Sequence, residues 1–289
     1  MKRLILNADD LGLTSGINRA VVELHQAGHL TSTTLMASSE QYEEAVACAI
    51  ANPKLGVGCH VVLVDGRSVA GAEKVPSLID PATGELRITL GAFVMELLRG
   101  HLHASEIEAE TIAQIRRLQK SGIHPTHIDT HKHTHLFPAV LDAVLRGAHR
   151  CGVRAVRNPF EPAWSVKATH GAPWKRMVQV MALRLMHHAF RRLVKKYKFV
   201  TTDGSIGILA TGTLNAATIE SLIKAMPDGT WELCCHPGYN DEALAKVRTR
   251  LHESREIERD ALLRTSFEGV EMISFKALHP VSNKQKEAR

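Results

Sequence analysis

Hydrophobic positions along the chain alternate between short apolar runs and segments in which they recur every three or four residues. Short apolar runs are typical of buried strands, and the wider spacing is typical of helices that bury one face. The runs predict strands at residues 2–8, 30–37, 55–63, 126–131, 153–158, 199–202, 230–235 and 270–275. Helices are predicted between them at residues 17–27, 42–51, 105–121, 138–151, 174–198, 215–226 and 242–265. This alternation predicts an α/β protein with a mainly parallel sheet.

Local signals mark some of the predicted boundaries. Ser105, with Glu108 three residues later, predicts a capping box at a helix start, and Gly122 predicts the end of that helix. Pro138 suits the first turn of the next helix. Residues 65–100 lack a regular pattern and contain several prolines, so we expect an insertion of loops, with room for a short helix, there.

Chemically active side chains follow several of the predicted strands. A barrel brings the carboxyl ends of parallel strands to one mouth, whereas an open sheet spreads them along an edge. We therefore predict a distorted TIM-like (β/α) barrel with seven or eight mainly parallel strands. The side chains expected at its mouth are those of Asp9, Asp10, His60, Asp129, His131, Asp203 and His236.

The densest group of candidate ligands lies in the run THIDTHKHTH at residues 126–135. Alternate residues of an extended strand point to one side, so this run predicts one face of imidazoles with a carboxylate. Imidazole is the commonest metal ligand, and the run therefore indicates a metal or catalytic site. The alternative is a histidine-rich surface turn, or an edge strand whose histidines face water. The alternating members are His127, Asp129, His131, His133 and His135.

Four other positions are candidates for the same site. The side chains of Asp9 and Asp10 diverge on an extended backbone, so one can bind a metal while the other handles a proton. Their alternative role is a helix cap, for which Ser15 or Thr14 is better placed. His60 lies in an apolar strand and is either a hydrogen-bonded core residue or a ligand. His236 precedes a proline at a strand end and is either a turn residue or an acid/base catalyst.

The length and composition fit a single reduced domain. A chain of 289 residues is within the range of one α/β barrel, and we predict a domain at residues 1–280 followed by a frayed tail at 281–289. The N-terminal apolar run is too short for a signal peptide, and no apolar segment approaches the roughly 18 residues of a membrane span. Five cysteines without a CxxC pair complete the prediction of a cytoplasmic protein without structural disulfides.

The net charge of +6 is unevenly distributed, because residues 162–202 contain nine lysines and arginines and neither aspartate nor glutamate. A basic amphipathic helix is attracted to anionic lipid, so residues 174–198 predict peripheral contact with the inner face of the membrane. The alternative is an ordinary barrel helix that buries its apolar stripe. No nucleic-acid partner is predicted, and the sequence leaves the oligomeric state open. The stripe consists of Val178, Met181, Leu185, Ala189, Leu193 and Tyr197.

The types of candidate ligand indicate a reaction class. Aspartate and histidine without cysteine suit a catalytic divalent metal with open coordination positions. Such an ion polarises a carbonyl group and lowers the pKa of bound water. With a carboxylate base and a histidine acid nearby, hydrolysis of an amide, ester or phosphate is indicated. The sequence lacks a P-loop, a GxGxxG after its first strand and a GxSxG elbow, which disfavours nucleotide-dependent transfer, NAD chemistry and serine hydrolysis.

Five motifs together resemble one family. They are NADDLG, TSTTLMA, GCHVVL, THIDTHKHTHLFP and CCHPG, and they occur in this order from Asn7 to Gly238. The combination closely resembles the YdjC-type carbohydrate deacetylases over most of the chain. The resemblance implies a TIM-like barrel that removes an N-acetyl group from an amino sugar with one divalent metal ion, zinc or magnesium.

The resemblance also implies a role for each site residue. Asp10, His60 and His131 match the metal ligands of the family, Asp9 matches its general base, and His236 matches the residue that stabilises or protonates the departing amine. Two positions depart from the family pattern: Leu11 stands where an aromatic residue is common, and Lys132 interrupts the histidine run.

Residues 156–162 (VRNPFEP) and the basic stretch after them resemble the hopanoid-biosynthesis-associated branch of the family. This narrower resemblance implies a glycolipid substrate, an N-acetylglucosaminyl group on a polycyclic lipid. Two other functions compete with a deacetylase. One is a multi-metal barrel phosphoesterase, in which His133, His135 and Asp203 would supply further ligands. The other is a non-catalytic lipid- or nucleic-acid-binding protein that uses residues 167–198.

Overall fold

Parallel strands form the centre of the computed structural model, which describes residues 1–278. Within this range the strands are β1 (Lys2–Leu11), β2 (Ser32–Leu35), β3 (Gly56–Val61), β4 (Ile128–Thr130), β5 (Gly204–Ile206), β6 (Gly229–Cys235) and β7 (Glu271–Met272). Their order in the sheet is β4-β3-β2-β1-β6-β5. β7 pairs with Arg3 and Leu4 at the start of β1. It lies along the same edge of β1 that pairs with β2 from Asn7 onwards.

Single parallel bridges close this sheet into a barrel. Ile128 of β4 pairs with Val156, and Ala155 pairs with Val200, four residues before β5 begins. The chain thereby connects one edge of the sheet to the other. The predicted fold class, a distorted barrel of seven or eight mainly parallel strands, is confirmed.

The strands predicted at residues 153–158 and 199–202 are wrong in extent, because each pairs only through these bridges. Asn158 precedes a proline, which has no N–H to donate and restricts the backbone of the residue before it. The Asn158 side-chain amide donates to the Thr202 carbonyl at 3.1 Å, where a ladder bond would otherwise form. The segment that pairs with β6 begins later, at Gly204.

Helices surround the barrel, and most of them bury apolar residues against it, whereas the helix at Trp174–Leu183 has no buried residue. In the described part of the chain they are α1 (Ser15–Gln26), α2 (Tyr42–Ala51), α3 (Leu90–Leu98), α4 (Ala104–Lys120), α5 (Pro138–Arg150), α6 (Ala163–Ala168), α7 (Trp174–Leu183), α8 (His187–Lys196), α9 (Ala216–Ala225), α10 (Glu242–Ala245) and α11 (Glu253–Arg264). Short 3₁₀ turns lie at Pro76–Leu78, His131–Leu136, Arg184–Met186 and Phe275–Leu278. Among residues 1–278, no helix has the length and apolar character to cross a bilayer.

The predicted start of the helix at residues 105–121 is wrong. α4 begins at Ala104 with His103 at the cap position, so Ser105 does not cap it. Glu108 does not close a capping box, because its carboxylate binds Arg146 and Arg150 of α5. A local motif does not include Arg146 and Arg150, so it cannot predict that Glu108 binds them.

The long helix predicted at residues 242–265 is two helices, α10 and α11, separated by residues 246–252. Asp241 caps α10 by accepting a hydrogen bond from the Leu244 N–H. Charged residues continue through residues 242–265, so the pattern along the sequence does not show where one helix ends and the next begins.

The barrel interior changes character from one end to the other. Along β1, Leu4 and Leu6 face the main apolar core, whereas Ile5 packs with Ala155 and Phe275 in a separate small cluster. Asp9 follows on the same side of the strand and is also buried. The interior is therefore apolar near the amino ends of the strands and charged near their carboxyl ends.

The predicted domain at residues 1–280 and tail at residues 281–289 both extend beyond the described residues. This division stays a prediction.

Gly58 of β3 provides a test of interior packing, because a Cβ atom there would lie 2.5 Å from Cε1 of His127. Gly58→Ala should lower the free energy of unfolding by about 1–3 kcal/mol, the usual cost of overpacking a core. Urea denaturation followed by circular dichroism measures this change. Gly91→Ala in α3 is the control, since no atom lies within 4 Å of its added methyl group. Equal effects of the two substitutions would contradict the close packing of His127 on β3.

Candidate metal and catalytic site

β1 ends in an irregularity that directs its two aspartates to different partners. The β1–β2 register shifts between Ala8 and Leu11, and Asp10 has a left-handed backbone with a φ of 67°. Aspartate tolerates this conformation better than most residues, and bulges commonly re-aim side chains. Both carboxylates are consequently buried at the mouth, where Asp9 binds Arg157 and Asp10 contacts two histidines.

The structure brings the three predicted ligands Asp10, His60 and His131 together. Asp10 Oδ1 lies 3.4 Å from His60 Nε2 and 3.3 Å from His131 Nδ1, and the two nitrogens are 3.3 Å apart. Ligands about 2.0–2.1 Å from a tetrahedral metal are separated by about 3.3–3.4 Å. The three atoms therefore match one face of a tetrahedral site, with the fourth position available to water or substrate.

Asp129 fixes the orientation of His60. Its Oδ1 lies 2.8 Å from His60 Nδ1, which directs Nε2 towards Asp10 and His131, and its Oδ2 accepts a hydrogen bond from Thr34. Metal-bound histidines commonly have such a carboxylate partner. Burial acts to lower the pKa of His60, but Asp129, Asp10 and Asp9 raise it to about 10. The local field thus favours a positive charge at this position.

Arg157 lies wholly buried among three carboxylates. Its guanidinium contacts Asp9 at 2.6 and 2.7 Å, Asp129 at 2.6 Å and Glu232 at 2.7 Å. Burial acts to raise the pKa of Asp9, but Arg157 outweighs it and the pKa is lowered. Burial raises the pKa of Glu232 to about 7. The sequence analysis gives Arg157 and Glu232 no role. For Glu232 a signal exists in the sequence, because a glutamate inside the apolar run of β6 is unusual.

Two residues of α11 complete the mouth. Arg255 donates to Asp10 Oδ2 at 2.6 Å. Burial acts to raise the pKa of Asp10, but Arg255, His131 and His60 together lower it well below its usual value. Glu258 accepts a hydrogen bond from the His236 backbone N–H at 2.6 Å. Sequence reasoning missed both residues. Their spacing of three positions places them on one face of a helix, which was the available signal.

His236 lies beside Asp9, as its predicted role requires. Its Nε2 is 3.8 Å from Asp9 Oδ2, too far for a direct hydrogen bond but within reach of a shared water molecule. Burial lowers the pKa of His236 to about 4, despite the opposing effect of Asp9. The imidazole is therefore neutral at neutral pH.

The predicted alternation of the histidine run holds only as far as His131. Lys132 and His133 have left-handed backbones, with φ of 54° and 52°, so the strand ends before them. Lys132 donates to Asp65 at 2.6 Å, which holds this turn against the insertion. The prediction that the whole run shares one strand face is wrong.

The remaining members of the run lie around the site. His127 stacks on Phe275, and His135 Nδ1 lies 2.7 Å from Thr130 Oγ1. Burial lowers the pKa of His133 to about 3. Asp203 is not at the mouth as predicted, because it binds the Thr230 N–H at the opposite end of β6.

A cavity of about 200 Å³ adjoins the site and reaches His133. Its walls are mostly apolar and come from several loops and from α7. The two charged groups on the α7 side, Glu161 and Arg176, are engaged with backbone groups of residues 207–211. The apolar lining residues include Leu90, Leu136, Phe160, Val180, Leu183 and Ile208.

A buried Asp/His site at the mouth of a parallel barrel defines a candidate metallohydrolase, and sequence comparison gives the family. The profile described as "YdjC-like protein" matches residues 3–270, so the chain belongs to this family and the predicted resemblance is confirmed. A protein from Brevibacillus brevis named carbohydrate deacetylase is 34% identical over 257 residues, which cover 86% of this chain and 88% of the relative.

Two further comparisons concern a shorter match and the fold. A chitooligosaccharide deacetylase from an Enterobacter species is 38% identical over 154 residues, 53% of this chain and 58% of that protein. The crystal structure of an Enterococcus faecalis protein has a TM-score of 0.75 with 24% identity, covering 96% of this chain and 99% of that one. This structural similarity supports the fold.

Replacement of Arg157 tests the charge network. Arg157→Met would leave three buried carboxylates without their common cation, so we expect a loss of about 3–5 kcal/mol in the free energy of unfolding. Arg150→Met is the control: Arg150 pairs with Glu108 at an exposed position, where a loss of at most about 1 kcal/mol is expected. Chemical denaturation of both variants gives the comparison. Similar losses would show that the buried network does not stabilise the mouth.

Proposed function

We propose that this protein is a metal-dependent hydrolase that removes the N-acetyl group of an amino sugar. The observation that supports it most is the triangle of ligand atoms from Asp10, His60 and His131, with sides of 3.3–3.4 Å. The names of the related carbohydrate deacetylases supply the reaction. A divalent ion held by these residues would polarise the acetyl carbonyl and acidify water.

Asp9 and His236 would handle the protons. Arg157 keeps the Asp9 carboxylate ionised and fixed in orientation, so that it can accept a proton from the attacking water. His236 is neutral before the reaction because its pKa is about 4. It must gain a proton before it can assist departure of the amine, and Asp9, with Oδ2 3.8 Å away, is positioned to pass one on.

The donor set favours one zinc ion over magnesium. Zinc accepts imidazole and carboxylate ligands in tetrahedral sites, whereas magnesium prefers six oxygen ligands. Among residues 1–278, a second possible ligand group consists of Asp9, His60 and Asp129, but it shares His60 and two of its carboxylates bind Arg157. His133, His135 and Asp203 do not join either group. This arrangement supports a single-metal deacetylase over a multi-metal phosphoesterase.

The cavity beside the site bears on the substrate. A soluble N-acetylated oligosaccharide needs polar groups along its length, whereas this cavity is lined mainly by apolar side chains. We therefore include an apolar aglycone in the proposal, as in an N-acetylglucosaminyl hopanoid, with the sugar at the metal and only the part of the lipid nearest the sugar in the cavity of about 200 Å³. Such a substrate would suit a cytoplasmic enzyme at the inner face of the membrane.

Acetate release tests the reaction. The zinc-loaded protein is incubated in parallel with N-acetylated chitooligosaccharides, an N-acetylglucosaminyl glycolipid and a phosphate monoester. We expect acetate from at least one acetylated sugar and no phosphate release. Phosphate release without acetate would contradict the proposal and favour the phosphoesterase.

Alanine variants of Asp10, His60 and His131 should each lose most of the bound metal, because each removes one of three protein ligands. Metal content after purification, measured by mass spectrometry, gives the result. His124→Ala, at an exposed histidine outside the site, is the matched control and should retain its metal. Full metal occupancy in all three ligand variants would show that the ion binds elsewhere.

Asp9→Asn separates the proton-transfer role from metal binding. The variant should keep its metal while its kcat falls by about 10²–10⁴-fold, the usual contribution of a positioned acid or base. His236→Ala should behave in the same way. If Asp9→Asn loses the metal while Asp10→Asn retains it, the two aspartates have the opposite roles.

A further inference from the structure

The outer side of α7 exposes large apolar side chains to solvent. Trp174 is 69% exposed, Val178 58%, Met181 45% and Leu185, one turn beyond, 87%. Their spacing of four, three and four residues places them in one stripe along the helix. We call these four residues the α7 outer face. Notably, the structure separates them from the second half of the predicted stripe, because Leu193 is buried against the barrel.

This exposure is concentrated near the candidate site. Among residues 1–278, nine large hydrophobic side chains are exposed, and four of them form the α7 outer face. Two others, Met95 and Leu98, lie on α3, which also contributes Leu90 to the cavity beside the site. Scattered single residues of this kind are normal on protein surfaces, but a contiguous stripe marks an interaction surface.

The charge of the adjoining helix identifies the partner. Arg191, Arg192 and Lys195 of α8 are exposed, and no aspartate or glutamate occurs between residues 162 and 202. We call these three residues the α8 basic cluster. An apolar stripe that includes a tryptophan and a leucine, beside a basic cluster, matches the two parts of a bilayer surface, acyl chains and anionic headgroups.

We propose that the α7 outer face and the α8 basic cluster form a docking surface for an anionic phospholipid bilayer. A second copy of the chain fits less well, because it would bring two basic clusters together. Nucleic acid would engage the basic cluster but would leave the apolar stripe without a partner. The structure shows Trp174, Val178 and Leu185 unburied by any element of residues 1–278.

α7 lies between the proposed docking surface and the cavity beside the candidate site. Its inner face, through Val180 and Leu183, lines the cavity that reaches His133. A bilayer on the outer face of the same helix would lie one helix diameter from the cavity. The docking proposal stands independently of the reaction, since lipid binding and acetate release are measured separately.

Vesicle co-sedimentation tests the proposal on the full-length protein. Vesicles of phosphatidylcholine with phosphatidylglycerol should pellet the protein at low salt, and binding should weaken as salt rises. Vesicles of phosphatidylcholine alone should bind far less. Equal recovery in the supernatant with and without phosphatidylglycerol at low salt would overturn the proposal.

Matched variants locate the surface. Replacing the three residues of the α8 basic cluster with glutamine should weaken binding about a hundredfold, at about fivefold per charge. The control carries the same three-charge loss at Lys54, Lys74 and Lys120, exposed positions elsewhere. Equal losses in the two triple variants would mean that only net charge matters and would overturn the proposed surface.

A second pair of variants tests the apolar part. Trp174→Gln with Leu185→Gln should reduce binding at least about tenfold, because burial of these side chains in the bilayer is lost. Ile50→Gln with Ile257→Gln, at exposed positions elsewhere, should have little effect. Sedimentation velocity without lipid supplies the other outcome: a dimer that the α7 variant dissociates, together with no vesicle binding, would make this face a subunit interface.

Discussion

The buried guanidinium of Arg157 is the interaction on which the rest of the site depends. Burying three carboxylates within a barrel is costly unless a cation compensates them. Arg157 contacts Asp9, Asp129 and Glu232, and thereby holds β1, β4 and β6 at fixed positions around the mouth. Asp129 in turn orients His60, so the geometry of the ligands follows from the position of one arginine.

A second arginine gives the two neighbouring aspartates separate environments. Asp9 faces Arg157 inside the barrel, whereas Asp10, turned by its left-handed backbone, faces Arg255 and the two histidines. Arg255 donates a hydrogen bond to Oδ2 of Asp10. Among residues 1–278, the ion-pair partners of Oδ1 are His60 and His131. Adjacent carboxylates can therefore have different functions because the β1 irregularity separates them.

Much of the fold could be predicted from the sequence, and so could three of the residues that meet at the barrel mouth. α2 has the bounds that the hydrophobic spacing predicts, and Thr14 caps α1. Asp10, His60 and His131 could be named because each follows a strand pattern and belongs to a recognisable motif. These signals are local, and local signals are what periodicity and short motifs capture.

The arginine partners of Asp9 and Asp10 could not be predicted in the same way. Arg157 is 148 residues from Asp9, and Arg255 is 245 residues from Asp10, so their pairing depends on barrel closure. The histidine run misled for another reason: alternation assumes a continuing strand, but Lys132 adopts a left-handed turn and pairs with Asp65.

The central claim is that Asp10, His60 and His131 bind one catalytic metal ion. An anomalous difference map from a crystal of the zinc-loaded protein, collected at the zinc absorption edge, tests it most directly. We expect one strong peak about 2.0–2.2 Å from Asp10 Oδ1, His60 Nε2 and His131 Nδ1. A peak on His133 or His135 instead, or no peak near these three atoms, would contradict it.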